Sequence, residues 1–167
     1  VFESDEASAL QLWLLAIANP NDISHLRAAA TSPLFGWTAP MLDTAANKPH
    51  SATGQAWATW QTAVQNAQQT WFSTGFYPTL RTFMEQFEVK SRLLSHQGGT
   101  RAVTNLMHAA ELVQQASARD RLTLRGIIRW LRESRANTER LNDSAEQRLE
   151  SDTDAVQIFT MHKSKGL

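Results

Sequence analysis

Apolar residues along this chain recur mostly at intervals of three and four, the period of a helix with one buried face. Ser4-Asp5-Glu6 predicts an N-cap followed by acids in a first turn, where they suit the positive end of a helix dipole. Leu10, Trp13, Leu14 and Ile17 follow at helical spacing, and Asn19-Pro20 ends the run. A second short helix is predicted from Asp22 to Thr31, closed by Ser32-Pro33. Residues 32–54 hold Pro33, Gly36, Pro40, Pro49 and Gly54, which predicts loops around one short helix near 38–46.

From Thr53 the helical pattern strengthens. Trp57, Trp60, Val64, Ala67 and Trp71 form one stripe, with Gln55, Gln61, Gln65, Gln68 and Gln69 between them. Gly75 ends that helix as a C′ residue would. Pro78 marks the next helix start, with Leu80, Phe83, Met84 and Phe87 on one face. Gly98-Gly99 predicts a turn, and Thr100 the cap of a helix facing inward through Val103, Leu106, Met107, Ala110 and Val113. Asp120 is predicted to cap a further helix. Its apolar side is Leu124, Ile127, Ile128 and Leu131, and Arg121, Arg125, Arg129 and Arg132 line up beside it.

The end of the chain changes character. Residues 137–154 are polar and poor in apolar anchors, predicting an exposed linker with at most a short helix. Ala155-Val156-Gln157-Ile158-Phe159-Thr160 alternates and is β-branched, the one convincing strand. A single strand cannot satisfy its own backbone hydrogen bonds, so its sheet partners are expected elsewhere. Together with a start at Val1 rather than Met, this leads to the expectation of a piece taken from something larger.

Composition sharpens this picture in a few places. With 42% hydrophobic and 19% charged residues the chain is too apolar for disorder. Six Trp against seven Gly and five Pro favours helices packed through large side chains over a β-sandwich. Sixteen basic and sixteen acidic residues cancel, so net charge favours no polyanionic partner. The absence of Cys excludes disulfides, thiolate catalysis and Cys-ligated metals, and fits a reducing cytosol. No apolar run approaches the ~20 residues that span a bilayer, so no membrane association is expected. The acids at Glu3, Asp5 and Glu6 are the wrong sign for a signal peptide.

Chemistry concentrates at two places. Thr160-Met161-His162-Lys163-Ser164-Lys165-Gly166-Leu167 follows the strand directly. Two Lys, a His, two hydroxyls and a Gly could contact phosphates, although a solvated basic tail has the same composition. A Walker A pattern is missing here and elsewhere in the chain. The second place is the Arg row, within residues 119–140 that hold seven Arg against Asp120, Glu133 and Glu139. It could follow a phosphate backbone, dock on a partner protein or face solvent. Trp57, Trp60 and Trp71 could stack on bases, but their strict helical spacing favours core. His25, His50, His96, His108 and His162 offer no ligand pair, and Asp152 and Asp154 fit turn chemistry better than Mg²⁺ binding.

The segment VQIFTMHKSKGL resembles motif V of the superfamily 1 helicases of the UvrD/Rep class. The form His162-Lys163-Ser164-Lys165-Gly166-Leu167, preceded by Arg148-Leu149-Glu150-Ser151-Asp152, is similar to the exodeoxyribonuclease V beta-subunit family. VFESDEASALQLWLLAIANP, LRAAATSPLFG, GGTRAVTNLMHAAELVQQA and the helix with Ile128-Arg129-Trp130-Leu131 resemble that family in the same order. The resemblance covers essentially the whole chain. It implies a mainly α fold: residues 1–150 as the helical 2B-type insert, and 151–167 as the return strand and motif V loop of a RecA-like 2A domain. It also implies that Thr160, His162, Lys163 and Ser164 face DNA, and Lys165 the nucleotide. The parent chain would be an ATP-dependent 3′→5′ DNA helicase and exodeoxyribonuclease in a double-strand-break repair and recombination complex. That enzyme would use ATP and Mg²⁺ and would work in the cytoplasm with other subunits on single-stranded and duplex DNA. Walker A, Walker B and a nuclease carboxylate cluster lie outside this stretch, so this piece alone is expected to bind neither cofactor and to be inactive. Two other readings stay open: an AddA-type helicase–nuclease subunit, and a stand-alone helical adaptor without catalysis.

Overall fold

The computed structural model describes residues 1–136, which form eight helices: α1 (Asp5–Ala18), α2 (Ile23–Ala30), α3 (Ala39–Asn47), α4 (Ala52–Thr74), α5 (Phe76–Gln86), α6 (Val89–Leu94), α7 (Gly99–Asp120) and α8 (Leu124–Ala136). The described residues contain no strand, so the fold is mainly α as the periodicity predicts. The predicted strand at 155–160 and the loop behind it lie outside the described residues, as does the predicted boundary at residue 150.

At the centre is α1. It packs against α2, α4, α7 and α8, and Ala7, Ala9, Leu10, Trp13, Leu14, Ala16 and Ile17 are all buried. A helix covered on several sides needs small residues where neighbours approach and large ones where they leave gaps, and Ala alternating with Trp and Leu supplies both. Its start is fixed by Ser4, whose Oγ accepts from the Ala7 amide at 3.2 Å. At its other end Gln68 of α4 donates to the Ile17 carbonyl at 2.8 Å, satisfying one of the acceptors that a helix C-terminus leaves open.

The stripe of α4 meets that core as predicted, with Trp60, Val64, Ala67 and Trp71 buried. Trp57 is half-buried and sits edge-on to Trp37 at 5.3 Å. Trp60 anchors a cluster with Phe35 at 4.5 Å, Phe83 at 5.3 Å and Phe87 at 5.3 Å, and Trp13 reaches Phe83 at 5.5 Å. Most of these pairs are edge-to-face, the arrangement that places a positive ring edge on a negative ring face. The Trp-rich, Gly-poor composition thus reads out as an aromatic core between α1, α4 and α5.

Several boundaries move. Helix α5 begins at Phe76, with Pro78 in its first turn, where a missing amide hydrogen costs nothing. Gly75, at φ 83°, is the joint between α4 and α5, which is the conformation glycine adopts without strain. The pattern gives no separate warning of α6, which a left-handed Glu88 at φ 49° sets off from α5. Thr100 does not cap α7: Gly98, at φ 77°, holds the cap position without a side-chain bond. The helix starts two residues before the position a Thr100 cap would set, at Gly99, where a Cβ would have no room against the Leu93 carbonyl. On the inner face of α7, Leu106, Ala109, Ala110 and Val113 are buried, while Val103 and Met107 are half-buried against the core.

Candidate nucleic-acid interface

Helix α8 is the most cleanly divided element of the fold. Leu124, Ile127 and Leu131 are buried, Ile128 is half-buried, and Arg125, Arg129 and Arg132 are exposed. Positions i, i+4 and i+7 place the three Arg in one row over two turns, a rise of about 10 Å at 1.5 Å per residue.

Asp120 does not cap this helix. It is the last residue of α7, and Thr123 takes the cap position, its Oγ1 accepting from the Gly126 amide at 3.3 Å. The Arg119 guanidinium grips the Asp120 carboxylate bidentately at 2.9 and 2.8 Å. The hydrogen bond from Arg119 holds the Asp120 carboxyl below its ordinary value, and the same bond raises Arg119. The pair cancels its own charge beside the row instead of drawing on it.

Arg121 is therefore not part of the α8 ladder. It is the C-cap of α7 with φ 49°, exposed in the turn that leads into α8. Arg121, Arg125, Arg129 and Arg132 share no ion pair with any described acid. An exposed guanidinium with no carboxylate partner is what phosphate contact requires, because each contact releases a condensed counterion.

Arg135 behaves differently, although it follows Arg132 by three positions on the same helix. Its side chain crosses to the start of the chain, donating to the Phe2 carbonyl at 3.1 Å, to Gln11 Oε1 at 2.6 Å and to Ser8 Oγ. Trp130 adds an edge-on contact with the buried Phe2 ring at 5.6 Å. Sequence reasoning missed this clasp, and only the half-buried environment of Arg135 separates it from its exposed neighbours.

Thr160, His162, Lys163, Ser164 and Lys165 lie outside the described residues, so the second expected site has no geometry here. Among the described residues no group of three or more His, Asp or Glu could hold a metal ion, and no helix is long and apolar enough to cross a membrane.

No family model matches the chain. Curated proteins do. The RecBCD enzyme subunit RecB of Escherichia coli K12 is 34% identical over 168 residues, covering all of this chain and 14% of that protein. RecB of Haemophilus influenzae is 33% identical over 167 residues, again all of this chain and 13% of the relative. RecB of Mycobacterium tuberculosis is 33% identical over 167 residues, with 14% of its length covered. The chain thus spans about a seventh of the curated relatives it matches.

Proposed function

Because it is similar to RecB along its whole length, we propose that this chain is the helical 2B-type insert and motif V segment of a RecB-type helicase–nuclease subunit. The observation that carries this reading is the end-to-end match, which runs through the polar stretch and the terminal loop as well as the helices. That continuity favours a subunit of this kind over a stand-alone adaptor whose tail resembles motif V by chance. The parent chain would couple ATP hydrolysis, with Mg²⁺, to 3′→5′ movement on DNA and to exonucleolytic cleavage, in a cytoplasmic complex that repairs double-strand breaks.

Within that subunit the two expected sites divide the work. Arg121, Arg125, Arg129 and Arg132 track the phosphates of the duplex ahead of the motor, through charge alone and without reading bases. Thr160, His162, Lys163 and Ser164 contact the single strand, and Lys165 faces the nucleotide phosphates. What supports the first assignment is four exposed guanidinium groups without described ion-pair partners, three of them in one row on α8 and Arg121 in the turn before it.

Titration of labelled forked DNA tests this reading. Four phosphate contacts give a slope of log K against log salt of about −3.6, or about 150-fold weaker binding between 50 and 200 mM salt. Arg125→Ala with Arg129→Ala should reduce the magnitude of the slope by about 1.8, while the melting temperature stays close to wild type. An unchanged slope in the double variant removes the row from the DNA interface. A large fall in melting temperature would make the row structural.

A further inference from the structure

Five of the six described glycines are required by the fold. Gly36, Gly75 and Gly98 have positive φ, and at Gly54 and Gly99 neighbouring backbone leaves a Cβ no room. Gly126, inside α8, has neither reason. Its φ is not positive, and a Cβ there would meet Leu122 at 3.4 and 3.5 Å and Thr123 Oγ1 at 3.5 Å, ordinary van der Waals distances. Alanine would fit and would hold the helix better, because glycine loses more backbone freedom on folding. A residue that weakens its own helix, with no packing reason in the fold, points to something that approaches closely from outside.

The neighbours of Gly126 say what approaches. It is half-buried beside Leu122 and lies off the buried side formed by Leu124, Ile127 and Leu131. Arg125 stands one residue before it, and Arg129 three residues after it on the adjoining turn. Both guanidinium groups are exposed and make no ion pair with a described acid. A bare stretch of helix between such cations suits a polyanion whose own backbone is wide. We propose that one sugar–phosphate strand of the duplex rests on α8 at Gly126, where the missing side chain lets it come close enough for Arg125 and Arg129 to reach its phosphates. This deepens the duplex reading given above and rests on it.

Glu133 sets the direction of the strand. It is exposed and stands seven residues further along the same side of the helix, about 10 Å away at 1.5 Å per residue. Its carboxylate would repel a strand laid lengthwise on α8. The strand therefore crosses the helix at Gly126 instead of following it to the far end.

Titration of labelled forked DNA, and of single-stranded DNA, with the full-length parent at several salt concentrations tests this. Gly126→Leu should displace one phosphate contact, reducing the magnitude of the slope of log K against log salt by about 0.9. That corresponds to about 15-fold weaker forked-DNA binding at 50 mM salt, with the electrostatic contribution taken to vanish at 1 M. Gly126→Ala should weaken binding less, and in thermal melts of this chain should lie about 1–3 °C above wild type. Single-strand binding should stay unchanged in both variants. Weaker duplex binding by a more stable protein is a combination that a purely structural glycine does not produce. If both variants bind forked DNA like wild type while Arg125→Ala with Arg129→Ala reduces the slope, the duplex reading stands and the close approach at Gly126 is overturned. An equal loss on single-stranded DNA overturns it too. A lower melting temperature for Gly126→Ala assigns the space to the polypeptide itself and also overturns it. If the Arg pair leaves the slope unchanged, the duplex reading falls and this proposal falls with it.

Discussion

Replacing Arg135 by Ala removes the described hydrogen bonds that tie the end of α8 to the start of the chain. The three acceptors do not suffer equally. Ser8 and Gln11 are half-buried and regain water, so their share is small. The Phe2 carbonyl belongs to a residue that is only 2% exposed, and it loses a charged donor. A hydrogen bond to a charged group contributes about 1.5–3 kcal/mol net, and with the partial loss at Ser8 and Gln11 the expected destabilisation is about 2–3 kcal/mol. For a domain of this size each kcal/mol moves the melting temperature by roughly 3 °C, so Arg135→Ala should melt about 6–9 °C below wild type. Circular dichroism at 222 nm gives the melt, and urea midpoints give the free energy independently. Arg132→Ala is the matched control, one turn away but exposed, and should stay within about 0.5 kcal/mol of wild type. Arg135→Lys should recover only part of the loss, because an ammonium lacks the planar fork that serves separate acceptors. If Arg135→Ala and Arg132→Ala melt together, the clasp adds nothing and the argument fails.

Trp60→Ala should cost about 3–5 kcal/mol, because the indole is fully buried against Phe35, Phe83 and Phe87; a urea midpoint near wild type would contradict the aromatic core. Asp22 holds the amides of Ser24 and His25, and those bonds, Ser24 first, lower its carboxyl below the ordinary 3.8. Its contribution is therefore present above 3.8 and lost as pH falls through the lower folded value, so wild type and Asp22→Asn should converge in melting temperature only below about pH 4; a gap that persists into stronger acid refutes this. In the full-length parent, Lys165→Ala should reduce DNA-stimulated ATP hydrolysis by about 10²–10³, and wild-type turnover would remove Lys165 from the nucleotide site.

Helix existence was legible because burial and period coincide in α1, α4 and α8, where Trp13, Trp60 and Ile127 fall on the predicted faces. Ends were less legible, and the cause differs each time. Thr100 and Asp120 are good cap residues, but both fall inside α7, and Gly98 and Thr123 hold the cap positions instead. Helix α6 is hidden because a left-handed Glu88 separates it, a conformation no side-chain pattern announces. In the Arg row, spacing correctly brought Arg125, Arg129 and Arg132 together. It placed Arg121 on the helix by mistake, because periodicity extends past a cap it does not see. Arg135 fits the helical pattern equally well, but its partners are separated from it by most of the chain.

The clasp between Phe2 and Arg135 also sets how this domain responds to mechanical load. The start of the chain and the end of α8 lie together, held by the Arg135 bonds and the Phe2–Trp130 contact. Tension that separates those ends falls on the Arg135 bonds and the Phe2–Trp130 contact, which lie ahead of the buried Ile127 and Leu131 packing. The first link to meet such a load rests on a single guanidinium.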